Sequence, residues 1–157
     1  MLRRARPDDT PSLKQLTDET GFFKPHEIDT LQEVLDDYHA ENHRAGHVCQ
    51  VLQRDGAPVG FAYFGPAPMT IGTWELWWIV IEKNVQAQGL GGELLRFVEE
   101  EVRRLEGRVL FIDTSSQPLY EPTLRFYLKN GYERHAELKE FYAPGDDKIV
   151  FRKAFGQ

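Results

Sequence analysis

The sequence predicts a single α/β (α+β) domain over residues 1–157, with a mixed, mostly antiparallel central β-sheet flanked by about four helices. Three observations carry that expectation. The turn signals Asp55-Gly56 and Pro144-Gly145-Asp146-Asp147 each join two strand-like runs and supply antiparallel pairs. Strand–helix–strand crossovers in the second half supply parallel ones. The length of 157 residues suits one hydrophobic core, and no repeat, low-complexity tract or Ser/Gly linker marks a boundary.

The elements follow in order. Leu2 to Arg6 reads as a short strand, and Thr10-Pro11 as a helix N-cap with proline at the first helical position. Leu13 and Leu16 give that helix an apolar edge before Gly21. Pro25 opens a second helix, in which Ile28, Leu31, Leu35 and Tyr38 recur at spacings of three and four; one face is buried, the acids point outward, and Gly46 is a C-terminal stop. Val48–Arg54 and Val59–Phe64 are hairpin strands. Trp74–Ile81, dense in aromatic and β-branched residues, reads as a buried central strand. A helix follows, with Leu94, Leu95, Val98, Val102 and Leu105 on one side and Gly107 at its close. Val109–Asp113 is a strand, Pro122–Asn130 a short helix, and Tyr132–Tyr142 pairs with Lys148–Phe155 as a final hairpin.

Composition excludes several classes. One cysteine, Cys49, leaves no internal disulfide framework or cysteine-rich zinc site. The net charge of −6 speaks against a nucleic-acid binder held by phosphate neutralisation. The longest apolar run, Leu76–Ile81, is too short to span a bilayer, and Met1-Leu2-Arg3-Arg4 lacks the apolar stretch of a signal peptide, so a cytoplasmic location is expected. The imbalance is local. Between Gln15 and Ala45 stand eight acids and two bases, while the rest of the chain holds 17 of each. Such a run is a solvated helix face or a field that attracts a cationic partner.

The most informative stretch is Ile79 to Leu95. A buried strand enters the turn Gln86-Ala87-Gln88-Gly89-Leu90-Gly91-Gly92, which leads directly into an amphipathic helix. Helix N-termini carry unpaired N–H groups and the positive end of the dipole, and glycine lets that backbone wrap an anion such as a pyrophosphate. The same glycines would also serve a tight strand–helix turn and nothing more. A Rossmann fingerprint would need glycine where Leu94 stands, and a Walker A loop would need lysine after Gly91 or Gly92.

Gln86-Ala87-Gln88-Gly89-Leu90-Gly91 resembles the Gln/Arg-x-x-Gly-x-Gly/Ala pyrophosphate loop of the GNAT superfamily of acyl-CoA-dependent N-acetyltransferases. Phe126-Tyr127-Leu128-Lys129-Asn130-Gly131-Tyr132 is similar to that family's C-terminal motif, in the same order and at about its spacing. The resemblance covers nearly the whole chain. It implies a splayed sheet and acetyl-CoA, or coenzyme A, as donor with no metal. Backbone groups of Ile79, Val80 and Ile81 would pair with the pantetheine arm, and N–H groups of Gln86, Ala87, Gln88, Gly89, Leu90, Gly91 and Gly92 would hold the pyrophosphate. Ala87 stands where many relatives have glycine, and Lys83 where proline is frequent. Phe23 and Glu27 would lie in an early helical region that walls the acceptor side.

Acyl transfer from a thioester to an amine needs a neutral amine, a donor for the growing oxyanion and a proton for the departing thiolate. By the resemblance, Tyr127 matches the tyrosine that protonates the sulfur; Leu124, Tyr127 and Gly131 share one helical face, and a core tyrosine is the plain alternative. Glu75 is the candidate base, a carboxylate among the apolar residues Trp74, Leu76, Trp77 and Trp78, where burial would make it more basic; a strand-end glutamate facing water is the alternative. Trp77, on the face of Glu75, and Asp113, at the end of the next strand, are candidate acceptor contacts; a core tryptophan and a turn cap are their plain readings. His39, His43 and His47 are spaced by four, but the stretch lacks the His-Glu-x-x-His zinc pattern. Cys49 reads as a small buried residue, and Ser115-Ser116 has no Gly-x-Ser-x-Gly setting. The expected function is acetyl transfer to a primary amine, on a small molecule or a peptide and of cationic character; a non-catalytic acyl-CoA sensor is the alternative. Edge strands and an exposed hairpin leave a homodimer open, whereas nucleic acid and membrane are not expected partners.

Overall fold

In the computed structural model, residues 1–156 are described; Gln157, the last residue of the expected domain, and the side chain of Ala87 lie outside the described residues. The elements are β1 (Leu2–Arg4), α1 (Thr10–Glu19), α2 (Pro25–Ala40), β2 (Val48–Arg54), β3 (Ala57–Pro66), β4 (Thr73–Ile81), α3 (Leu90–Arg104), β5 (Val109–Ser115), α4 (Glu121–Lys129), β6 (Glu133–Ala143) and β7 (Asp146–Ala154). The strands form a seven-stranded sheet in the order β1-β2-β3-β4-β5-β7-β6. The β4–β5 pair is parallel; β1–β2, β2–β3, β5–β7 and β6–β7 are antiparallel. This is the mixed, mostly antiparallel sheet with four helices that the turn and crossover signals predict. No helix among the described residues is long and apolar enough to cross a membrane. The chain divides into two compact units, Met1–Gly65 with Trp78–Val98, and Pro66–Trp77 with Glu99–Gln157.

In the first unit, α1 starts earlier than the Thr10-Pro11 signal implies. Thr10 is already helical, and the buried Asp9 before it accepts the Arg6 N–H at 2.7 Å and a two-pronged Arg3 guanidinium at 2.7 and 2.9 Å. That hydrogen-bonded guanidinium holds the Asp9 carboxyl below its ordinary range. Pro25 opens α2, where a missing N–H costs nothing, and the Lys24 N–H before it donates to Glu27 Oε1 at 2.8 Å. Leu31, Leu35 and Tyr38 are buried with Leu13 and Leu16 of α1, Val51 of β2, Phe61 and Tyr63 of β3 and Val80 of β4. Asp29, Glu33, Asp36 and Asp37 face solvent between them. The β2–β3 turn has Asp55 and Gly56 both at positive φ (53° and 80°), the twist that matches the flanking strands. Further along β3, a Cβ at Gly60 would stand 2.9 Å from the Val80 carbonyl oxygen, so glycine is what lets the two strands lie this close.

In the second unit the strands alternate cleanly. Trp74 and Leu76 of β4, Leu110 and Ile112 of β5, and Ile149 and Phe151 of β7 are buried. Glu75, Trp77, Phe111, Asp113, Val150 and Arg152 take the other face and are half-buried or exposed. On α4, Leu124 and Tyr127 are buried; the helix ends at Lys129, so Gly131 belongs to the turn beyond it rather than to its face. Leu105, expected on the apolar side of the preceding helix, lies past the end of α3 and is exposed. The edge strand β6 is exposed along nearly its whole length. Its register with β7 shifts between Leu138 and Ala143, around Glu140 at a φ of 53°. Such a bulge twists an edge strand away from unwanted pairing.

Candidate active site

The segment expected to hold the donor belongs to the first unit. After the buried Val80 and Ile81, the chain passes through Glu82 into a 3₁₀ stretch, Lys83–Gln88, and Gly89 turns it into α3. The glycine pattern gave no sign of that 3₁₀ stretch. Gly89 has a φ of 75°, in the left-handed region, with nothing within 4 Å of where a Cβ would stand. The N–H groups of Leu90, Gly91 and Gly92 fall in the first turn of α3, where no carbonyl four residues back exists within the helix. The Glu93 N–H reaches the Gly89 carbonyl at 3.2 Å. This open end carries the positive pole of a 15-residue helix, which favours an anionic group. The side chains of Gln86 and Gln88 fasten the loop. Gln86 Nε2 donates to the Ile81 carbonyl at 3.0 Å, and Gln88 Oε1 accepts from Arg54 Nη1 at 2.5 Å. In the same unit Phe23 packs on Trp78 with ring centroids 5.4 Å apart. The Glu27 carboxylate is engaged in starting α2, whereas Asp29, Glu33, Asp36 and Asp37 of the same helix face outward.

Tyr127, Glu75, Trp77 and Asp113 belong to the second unit. Tyr127 is only 4% exposed, its ring set against Phe126 and Phe151 at 5.4 Å each and against Tyr132 at 5.9 Å. Burial pushes its phenol above the ordinary value, so the group stays protonated and able to donate. Glu75 is half-buried, level with Phe111 across the parallel pair, and it makes no ion pair among the described residues. Trp77 is 38% exposed, an outward tryptophan rather than a core one. Asp113 is held by Lys148, whose Nζ lies 3.0 Å from Oδ2 and 4.3 Å from the centre of the Phe141 ring. The apolar density of Trp74–Ile81 hides which side of β4 faces out; the alternation against β5 resolves it.

Of the three spaced histidines, His43 and His47 find hydrogen-bond partners, whereas the buried Nε2 of His39 has none among the described residues. His43 Nδ1 meets the Tyr38 carbonyl at 2.8 Å, and His47 Nδ1 the Tyr63 hydroxyl at 2.7 Å. No group of three or more potential metal ligands occurs among the described residues. Burial pushes the Cys49 thiol up to about 12, far from a reactive thiolate. Sequence reading missed Glu99, a buried acid on α3 with Tyr132 and Lys153 as partners. Its only signal was an acid on the inward side of an amphipathic helix, beside Val98 and Val102.

In sequence, a helix with a glycine-rich N-terminus stands between β4 and β5, and such an N-terminus is suited to an anionic ligand. The family follows from comparison: the acetyltransferase (GNAT) family model matches residues 11–132, and the chain belongs to that family. A crystal structure assigned to the GNAT acetyltransferases, from Desulfovibrio desulfuricans, is 39% identical with a TM-score of 0.94 and covers 98% of both chains. The structure of yncA from Salmonella typhimurium, with its cofactor acetyl-CoA, is 18% identical at a TM-score of 0.80, covering 100% of this chain and 94% of that one. In sequence, the S-(2-succino)cysteine N-acetyltransferase of Bacillus subtilis is 24% identical over 95 residues, which span 58% of this chain and 58% of that enzyme.

Proposed function

We propose that the chain is a single acetyltransferase domain that moves the acetyl group of acetyl-CoA directly to a primary amine. The observation that carries this reading is the α3 N-terminus, where Gly89 delivers three first-turn N–H groups as a site for the donor's pyrophosphate. Ile79, Val80 and Ile81 of β4 would pair with the pantetheine arm. The acetyl-CoA in the Salmonella structure supports the same donor.

In this mechanism Glu75 takes a proton from the acceptor ammonium, directly or through water, and the freed amine attacks the thioester carbonyl. The C–N bond forms, the C–S bond breaks, and the Tyr127 phenol gives its proton to the departing thiolate. The half-buried, unpaired state of Glu75 and the buried, protonated state of Tyr127 suit those roles. Trp77 beside Glu75 offers an aromatic face to a cationic acceptor. Asp29 and Glu33, exposed within the acidic stretch, add an attracting field. Asp113 is neutralised by Lys148 and serves the acceptor less directly. The single, deeply buried cysteine suits a reducing, cytoplasmic compartment, and the exposed apolar side chains of the β6–β7 hairpin, Leu138, Phe141 and Tyr142, suit a homodimer.

The reading is tested by incubating the protein with acetyl-CoA and a panel of neutral and cationic primary amines while following free thiol. Cationic amines should turn over with the lower KM at low ionic strength, and that advantage should shrink as salt approaches the about 0.15 M at which the Debye length is about 8 Å. CoA binding without thiol release across the panel would favour the sensor reading. The substitution Glu75→Gln should lower kcat, because the amide cannot take the proton. A kcat equal to that of the parent would exclude Glu75 as the base.

A further inference from the structure

Behind Tyr127 lies a buried polar cluster that the proposed chemistry does not use. Glu99 of α3 is 7% exposed. Its Oε2 accepts the Tyr132 hydroxyl at 2.7 Å, and both its oxygens lie 3.1 Å from Lys153 Nζ on β7. Lys153 also donates to the Asn130 carbonyl at 3.0 Å, in the turn that ends α4, and its ammonium sits 5.3 Å from the centre of the Tyr132 ring. Three elements otherwise far apart in sequence are thereby tied at one point.

The cluster reaches Tyr127 by three routes. The Tyr132 ring meets the Tyr127 ring edge-on, at 5.9 Å and 63°. The Tyr132 N–H donates to the Tyr127 carbonyl at 3.0 Å, and the Asn130 N–H reaches the same carbonyl at 3.1 Å. Phe151, two residues before Lys153 and so on the same face of β7, packs on Tyr127 at 5.4 Å. The ring, the backbone and the packing floor of Tyr127 are therefore all fastened through Glu99 and Lys153.

Fold stability alone accounts poorly for such a pair, because the desolvation of a buried carboxylate and a half-buried ammonium offsets much of their attraction. A fully satisfied buried network does, however, specify one geometry. A donor that must meet a departing sulfur needs its hydroxyl held closely, since a displacement of about 1 Å costs on the order of 10²-fold in rate.

We propose that Glu99 and Lys153 are positioning residues for the Tyr127 hydroxyl, acting through Tyr132 and the turn after α4. This rests on the reading of Tyr127 as the proton donor.

The test is a double-mutant cycle on the full-length protein. Tyr132→Phe keeps the ring and removes only the hydroxyl bound to Glu99. In the parent it should lower kcat about tenfold, short of the effect of a full 1 Å displacement, with KM for acetyl-CoA held within about twofold. In the Tyr127→Phe background it should change kcat little, because the group it positions is gone. Lys153→Met, which keeps the aliphatic stem, should repeat the pattern; thermal melting identifies any variant that fails to fold, and Tyr132→Phe then carries the test. Equal fractional losses in both backgrounds, or an unchanged kcat in the parent, would overturn the proposal. If Tyr127→Phe alone leaves kcat unchanged, the donor assignment falls and this inference with it. A loss in Tyr127→Phe with none in Tyr132→Phe removes the positioning role only.

Discussion

Tyr127→Phe should lower kcat on the order of 10²-fold while leaving KM for acetyl-CoA near the parental value. The two halves of that expectation have separate causes. A positioned general acid acts only as the C–S bond breaks, so its loss raises the transition state and not the bound ground state. The corresponding barrier increase is about 2.7 kcal/mol. The fold should tolerate the change, since among the described residues no hydrogen bond to the Tyr127 hydroxyl is present and the ring contacts with Phe126, Tyr132 and Phe151 persist in phenylalanine. The pH dependence is directional. Burial raises the phenol above its ordinary value of about 10, so the donor stays protonated through neutral and moderately alkaline pH and gives no alkaline decline of its own there. Steady-state kinetics with saturating acceptor, read beside a thermal melt, separates this outcome from a folding defect. Equal kcat in the two proteins would return Tyr127 to the status of a core aromatic.

How much of this was legible in the chain depends on the range of each interaction. The β2–β3 hairpin was legible because a two-residue Asp-Gly turn encodes its own geometry, and α2 because Leu31, Leu35 and Tyr38 repeat at helical spacing. The passage from β4 to α3 was legible as a strand entering glycines before a helix. The 3₁₀ stretch Lys83–Gln88 was not, since a stretch of six residues without apolar periodicity has no local signature. The start of α1 was misplaced because Asp9, not Thr10, is fixed there, by its bonds to the Arg6 N–H and the Arg3 guanidinium, which the Thr10-Pro11 pattern does not carry. The exposure of Trp77 follows from its place opposite the buried Trp74 and Leu76 on β4, and an apolar run does not say which of the two faces is buried. Glu99 and Lys153, 54 residues apart, could be joined only by the fold. Partners distant in sequence decide what Glu99 and Asp113 touch, whereas backbone conformation decides where glycine stands, and that is why the turn into α3 was readable and the side-chain pairings were not.

The second large effect is expected at Gly89, where the backbone conformation itself can be separated from everything else the loop does. Gly89→Val should raise KM for acetyl-CoA by roughly 10- to 100-fold with a much smaller change in kcat at saturating donor. A β-branched residue at a φ of 75° costs about 1–2 kcal/mol in local strain, and the chain relieves it by rotating the link between the 3₁₀ stretch and α3. That rotation re-aims the first-turn N–H groups of Leu90, Gly91 and Gly92, on which pyrophosphate binding is proposed to depend. Steric crowding is not the cause, because nothing lies within 4 Å of the added Cβ. Gly89→Asn is therefore the decisive control: asparagine enters the left-handed region at little cost, so its KM should stay within about threefold of the parent despite a side chain of similar bulk. Calorimetric titration with coenzyme A should rank the three proteins in the same order as KM. If valine and asparagine weaken binding equally, bulk or lost flexibility matters and the aimed N–H groups do not; if neither weakens it, the pyrophosphate binds elsewhere.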